Sequence, residues 1–316
     1  MLTFFKTMLG ACALTLSMAG SAAAEKTGQS SDALAQAAAP SAAQPSVQLI
    51  RNATLKIRYG DTVFLVDPML APQGEYPGFP GTYRSDLRNP LTPLPMPLAD
   101  ILSGVDAVLL THTHSDHWDE AAQKALPKNL PIFVQHKDDA KLVRSQGFSD
   151  VRILENHAEF GGVNLQRTEC RHGSPAMFAD EEMAKMAGSV MGLVFKAPDA
   201  KSIYVAADTV WFEGVDKAIA SHTPDVIILN TGRAALALEK FKDDPYIIMG
   251  KEDTLRAARA APQAAIVAVH MDAINHMTVN RRDLSEYVNA QGIRHRVLIP
   301  FDGETLRFGS TNAARE

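Results

Sequence analysis

The residues of this chain that could do chemistry are concentrated in one short stretch, Thr111 to Asp119, reading THTHSDHWD. Between His112 and His117 it supplies three imidazoles and one carboxylate, a mixed nitrogen and oxygen set that suits zinc, manganese or iron. Alternate residues of an extended segment point the same way, so His112 and His114 can converge on one ion. A turn at Ser115 to His117 would then aim Asp116 and His117 at a second. The competing reading is a solvated polar turn that is histidine-rich by accident. The strand before the stretch and the helix after it weigh against that reading.

The elements that must position such ligands can be read from the same chain. DAVLLTH ends in His112, SIYVAAD in Asp208 and AAIVAVH in His270, so three apolar runs each deliver a metal-type side chain at their carboxyl end. His172 closes a fourth run, VNLQRTECRH. Buried strands place such ends along one rim of a sheet, where sites in layered α/β proteins gather. Asn230 ends another apolar run, VIILNTGR, and could hydrogen-bond a substrate or a metal ligand, with a capping role as the alternative.

Around these runs the chain divides into three parts. Residues 1–24 have the charge, apolar core and Ala-rich end of a signal peptide, with cleavage expected before Glu25 and a periplasmic or secreted product. A lipoprotein box at Cys12 is the weaker alternative. Residues 25–46, rich in Ala, Ser, Gln and Pro, read as a flexible leader. The fold is expected over 47–312. Short β-type runs at 47–50, 54–58 and 62–66 form a meander that ends in Asp67-Pro68. Apolar strands then alternate with amphipathic helices through a last helix at 281–290, so the class is α/β. Between them, 69–97 carries seven prolines and three glycines; with Tyr76, Phe79, Tyr83, Arg84 and Arg88 it reads as a flap facing substrate.

Composition excludes other classes. A net charge of -5 and a pI near 6.1 leave no electrostatic footprint for nucleic acid, and no stretch is long and apolar enough to span a membrane. Loss of Cys12 with the signal would leave Cys170 alone, so no internal disulfide is expected. A thiol two residues before His172 could be a ligand, but a half-buried strand thiol is the simpler reading.

Taken together, the HTHSDH loop, His172 in RHG, Asp208 in ADT and His270 in VHMD resemble the metallo-β-lactamase fold superfamily, in its order and over nearly all of 47–312. The DP step at Asp67-Pro68, the DHW ending at Trp118 and the NH step at Asn275-His276 look most like its ascorbate-6-phosphate lactonase-like branch. The resemblance implies a four-layer αββα sandwich of two mixed sheets flanked by helices. It also implies one metal on His112, His114 and His172, a second on Asp116, His117 and His270, and Asp208 bridging them. Zinc is the first expectation, with manganese or iron as alternatives. Ala207 stands where relatives commonly have Gly, which adds a methyl group near the metals without removing a ligand. The bridging carboxylate argues against antibiotic hydrolysis as the main activity.

Two cations sharing a water make it a nucleophile near neutral pH, which needs no Ser or Cys. The expected function is therefore hydrolysis of a small ester, lactone or phosphate ester by a metal-bridging hydroxide, with Asp116 and Asp208 as the catalytic carboxylates and either Asp116 or a metal-bound water returning a proton to the leaving oxygen. Candidate substrate contacts are Tyr83, Arg88, Trp211, Asn230 and His276, the last six residues beyond His270. A mononuclear iron oxygenase of the same fold, or a non-catalytic metal-dependent binding protein, are the alternatives. His136, His157, His222 and His295 have no motif context and read as surface or structural.

Overall fold

Period-two alternation in the strands decides how the layers stack. The computed structural model describes residues 44–309. The expected signal peptide with Cys12, most of the leader and the last three residues of the expected domain lie outside them. Strands β1 (Ser46–Arg51), β2 (Thr54–Tyr59) and β3 (Thr62–Val66) form the expected antiparallel meander. Helix α1 (Leu98–Leu102), β4 (Ala107–Leu109), α2 (Glu120–Ala125), β5 (Ile132–Val134), α3 (Lys137–Ser145) and β6 (Val151–Ile153) follow, with β3 to β6 parallel. The second half runs β7 (His157–Phe160), β8 (Val163–Glu169), α4 (Pro175–Ala179), α5 (Glu181–Ala187), β9 (Met191–Lys196), β10 (Ile203–Val205) and α6 (Glu213–His222). It continues through β11 (Val226–Asn230), α7 (Lys251–Ala260), β12 (Ala265–Val269), α8 (Arg281–Ala290), β13 (Val297–Leu298) and β14 (Thr305–Arg307).

These strands make two seven-stranded mixed sheets, ordered β14-β1-β2-β3-β4-β5-β6 and β13-β12-β11-β10-β9-β8-β7. Leu55, Ile57, Phe64 and Leu109 of the first sheet meet Leu193, Phe195, Val205 and Ile228 of the second in one buried cluster, which is the core between the sheets. Their sequence neighbours face outward. Val194, Tyr204, Ile227 and Leu229 pack with Val215, Ala257 and Leu284 from α6, α7 and α8, while Leu65, Val108 and Ile132 pack with Ile101, Ala122 and Val143 from α1, α2 and α3. Helix, sheet, sheet, helix is thus the four-layer arrangement expected. Each large apolar side chain buried this way contributes roughly 1.5–3 kcal/mol.

Strand direction then brings the ligands to one edge. Both β8 and β10 are antiparallel to β9, so they run the same way, and β10 to β13 are parallel. The carboxyl ends of β8, β10, β11 and β12 therefore share an edge and present His172, Asp208, Asn230 and His270. In the first sheet β3 and β4 end together at Asp67 and at the loop carrying His112.

Four elements were not anticipated: β7, α4, α5 and β14. The two helices are five and seven residues long, too short for apolar periodicity to mark, and are held by side-chain caps from Ser174 and Asp180. The loop at 69–97 has no helix or strand of its own before α1, yet it is firmly anchored. The buried Arg51 guanidinium donates to the carbonyls of Met69, Ala71 and Thr92, which pins both ends of the loop. Its centre is held by Asn275, fully buried. The Asn275 amide oxygen accepts from Phe79 N–H and Asn89 Nδ2, its Nδ2 donates to Thr82 Oγ1 and the Tyr83 carbonyl, and its backbone N–H donates to Asn89 Oδ1.

Buried polar groups left without partners cost about 1–3 kcal/mol each. Replacing Asn275 by Ala is expected to cost about 3 kcal/mol or more in urea unfolding and to open new protease cleavage within 69–97. An unchanged midpoint and digest would show that the loop is held by other contacts.

Candidate metal centre

The site forms where the edges of the two sheets meet. Among the described residues, donor atoms converge in three sets: His112 with His114 and His172, and Asp116 with His117 and His270, which are the expected ligand groups, and Asp67 with His112 and His117, which was not expected. Asp208 lies between the two expected groups. Its Oδ2 is 3.3 Å from His117 Nε2 and 3.7 Å from His172 Nε2, and its Oδ1 is 3.5 Å from His270 Nε2. Asp116 Oδ2 is 3.6 Å from His117 Nε2 and 3.5 Å from His270 Nε2. Donors about 2.0–2.2 Å from a tetrahedral ion stand roughly 3.3–3.6 Å from one another, so these separations are those of a coordination shell.

The hydrogen bonds behind four of the rings fix which nitrogen each offers, while His270 Nδ1 is buried without a partner. His172 Nδ1 donates to the Ile247 carbonyl at 2.9 Å, leaving Nε2 with a lone pair. His114 is turned the other way: its Nε2 donates to the Met186 carbonyl at the end of α5, leaving Nδ1. His117 Nδ1 donates to Asp67 Oδ2 at 2.8 Å. The Thr111 hydroxyl donates to the same oxygen at 2.6 Å and lies 3.0 Å from His112 Nδ1, whose proton it can accept. With the outer nitrogens committed, His112 Nε2 and His114 Nδ1 face each other at 3.1 Å with two lone pairs. His117 Nε2 and His270 Nε2 also lie 3.1 Å apart. Two lone pairs at the separation of His112 and His114 repel unless a cation lies between them, and at the second pair the carboxylates around His117 make the same demand for positive charge, so the residues fit divalent metal ions.

Electrostatics say the same. Burial, reinforced by His117 and His114, holds His112 well below the usual histidine range, and burial holds His172 down at about 4, so both are neutral as ligands must be. His117 goes the opposite way: burial would lower it, but Asp208, Asp116 and Asp67 outweigh burial and raise it well above. Against its own burial, Asp208 is held well below the carboxylate range by His117 and His270. Three buried carboxylates around these rings demand positive charge at their centre.

Strained backbone also gathers at and beside the ligands. Asp67, Ala207 and His270 have φ of 46°, 57° and 60°. At Ala207 this gives the departure from Gly a different meaning from the one expected: the added methyl matters through a left-handed backbone, disfavoured for any residue with a Cβ, rather than through crowding of metals.

A cavity of about 500 Å³ opens onto the centre, with His114, Asp116, His172 and Asp208 in its wall. Of the expected substrate contacts, His276 lines it; the others do not. Tyr83 faces a separate groove beside Arg84 and Met277. Arg88 spends its guanidinium on the carbonyls of Gly74 and Glu75, within its own loop. Trp211 packs into the apolar layer beneath α6 and donates to Asp216. Asn230 donates from Nδ2 to Asp208 Oδ1 at 2.5 Å, so it orients a ligand instead of contacting substrate. Cys170 belongs to neither ligand set; its thiol is hydrogen-bonded to the Ala206 carbonyl and burial pushes its pKa up. Of the loop expected to be a flap, one segment, Phe79 to Thr82, forms part of the cavity wall.

Sequence reasoning missed several contributors. Asp67 ends β3 as His112, Asp208 and His270 follow their strands, so the strand-end rule could have found it. Met183, Met186 and Ala187 of α5, with Leu236, Leu238 and Ile247, build the apolar wall, and nothing in their local spacing marks them.

Comparison with known proteins agrees with this geometry. A family model described as a β-lactamase superfamily domain matches residues 62–271. The chain is 43% identical over 263 residues to the UPF0173 protein YddR of Bacillus subtilis (strain 168), covering 83% of this chain and all of YddR. It is similar to the crystal structure of "a possible metal-dependent hydrolase" from Veillonella parvula DSM 2008, with a TM-score of 0.81 and 44% identity over 84% of this chain and 99% of that one. It is also similar to an isothiocyanate hydrolase from Delia radicum gut bacteria, with a TM-score of 0.80 and 46% identity over 84% of this chain and 100% of that one.

Three outcomes are expected. Asp67→Asn keeps every ligand but weakens the acceptor behind His117, so metal affinity should fall about 10- to 100-fold in chelator competition; unchanged affinity would remove Asp67 from the centre. Ala207→Gly should raise stability by about 1 kcal/mol in urea unfolding with metal content intact. In the metal-free protein, His172 and His276 are both held at about 4 by burial against an ordinary 6.5. Below pH 6.5 the unfolded chain takes up protons that the folded one refuses, so stability should fall as pH drops from 6.5 towards 4. A flat profile of unfolding midpoint against pH would contradict the burial of these rings.

Proposed function

The chain belongs to the β-lactamase superfamily, and from that premise we propose that it is a metal-dependent hydrolase of small, uncharged, apolar electrophiles. One observation carries the substrate class. The cavity over the centre is walled by Phe79, Met183, Met186, Leu236, Leu238 and Ile247, and among the described residues no Lys or Arg lines it. Phosphate esters are held by forked guanidinium or ammonium groups, so of the three ester classes first considered they fit worst. A neutral ester or lactone with an apolar chain fits. An isothiocyanate, R–N=C=S, fits as well, and the full-length likeness to an isothiocyanate hydrolase makes it the leading candidate.

Two divalent ions are proposed, zinc first, held by the two histidine and aspartate sets with Asp208 shared between them. When bound they would supply Lewis acidity and a water activated near neutral pH. The chain's own residues do the rest. The methionine and leucine wall excludes bulk water and takes the substrate's R group, which strengthens every polar interaction at the cavity floor. Asp116, in that floor, accepts a proton from the attacking water and returns it to the substrate nitrogen. Water thereby adds to the N=C=S carbon: the C–O bond forms, the C=N π pair moves out over nitrogen and sulfur, and nitrogen takes the proton to give R–NH–C(=S)–OH; its O–H proton passes to sulfur, and the resulting R–NH–C(=O)–SH breaks its C–N bond as the S–H proton goes to nitrogen, giving R–NH2 and O=C=S. For an ester the same proton goes to the leaving oxygen. The N-terminal features support export, so this activity is proposed for the periplasm or the cell exterior.

Zinc-loaded mature protein should turn over benzyl isothiocyanate or an apolar ester, lose that activity on chelation, and show little phosphatase activity. Asp208→Ala should lower bound metal or abolish turnover. One equivalent of iron with oxygen consumption would favour the oxygenase alternative, and metal binding without turnover on the whole panel would favour a binding protein.

A further inference from the structure

His276 is 6% exposed and lines the same cavity as Asp116 and Asp208. Its Nδ1 is buried with no partner. His270 Nδ1 is also without a partner, but the Nε2 of that ring lies among converging donors; His114, His117 and His172 each commit one ring nitrogen to a protein acceptor, and His112 has Thr111 Oγ1 within reach. A buried polar atom without a partner is costly unless a bound molecule satisfies it. The ring is also held firmly in place. Phe79 meets it edge to face at 5.2 Å, its backbone carbonyl accepts from Ala235 N–H at 3.0 Å, and the preceding residue is the buried Asn275. It belongs to none of the sets whose donor atoms converge for a metal.

A rigid imidazole with unspent hydrogen-bonding capacity beside the floor of a substrate cavity suits one task in particular. We propose that His276 is a catalytic contact whose ring N–H donates a hydrogen bond to the substrate heteroatom that gathers negative charge as water adds. That atom is the sulfur of an isothiocyanate or the carbonyl oxygen of an ester, and the assignment rests on the hydrolase reading above. His276 keeps its proton throughout; the proton that moves is the one Asp116 carries. A preorganised donor aimed at developing charge in a water-poor site is worth about 10²- to 10³-fold in rate. The same Asn275 that holds Phe79 fixes where this donor stands, so the apolar wall and the polar contact are set by one side chain.

The test compares zinc-loaded wild type, His276→Leu and His276→Gln, with thermal unfolding of each as a check on folding. In His276→Leu, kcat/KM should fall about 100-fold, mostly in kcat, with zinc content unchanged. Gln, which can still donate, should recover about tenfold of that loss. Benzylurea, an unreactive carbonyl analogue, should bind about tenfold more weakly to the Leu variant by calorimetry. Near wild-type kcat/KM in His276→Leu would overturn the proposal, as would loss of zinc, which would make His276 a ligand. If the wild type turns over no substrate, the hydrolase reading fails on its own; equal benzylurea binding by wild type and Leu variant would then overturn the contact separately.

Discussion

Repulsion at the centre of the site sets the terms for the rest of the molecule. Imidazole nitrogens face each other at 3.1 Å in two places, and Asp67, Asp116 and Asp208 lie buried around them. Such an arrangement is unfavourable unless positive charge occupies its middle, so it persists in the fold only because the surroundings over-determine it. The left-handed backbone at Asp67, Ala207 and His270 is part of that cost. What offsets it is the large apolar core between the sheets and the helix layers outside them.

Support spreads outward from the rings in a definite order. Asp67 holds His117 directly and His112 through Thr111, and Asn230 holds Asp208. The backbone carbonyls of Ile247 and Met186 hold His172 and His114. Those last two contacts matter for function as well as for the metals, because Ile247 and Met186 also line the cavity. Substrate wall and ligand orientation are therefore mechanically joined: a shift of α5 moves both the Met186 side chain that a substrate would touch and the carbonyl that aims His114.

The cavity itself is assembled from segments with no regular role in the sandwich. Phe79 to Thr82 come from the proline-rich loop, Met183 and Met186 from α5, and Leu236 to Ile247 from the connection between β11 and α7. Layers of sheet and helix are shared with solved structures whose identity is below 20%, so the sandwich says little about substrate. These three connections give the cavity its apolar wall, in which no Lys or Arg stands among the described residues.

The sequence by itself determined the fold class and the order of most strands and helices, and it picked out the seven His and Asp side chains that the fold brings close together. It could do so because buried strands read as apolar runs, and a metal-type side chain at the end of each run stands out against them. Tyr83, Arg88 and Trp211 were misplaced because residue type alone cannot say which way a loop side chain turns. Arg88 satisfies carbonyls of its own loop, and Trp211 faces the helix layer. Only the tertiary structure decided that Asn230 serves Asp208, that Asp67 stands behind two histidines, and that α5 walls the cavity. These depend on contacts between segments 20 to more than 100 residues apart, set by how the sheets pack face to face. No local spacing encodes that packing.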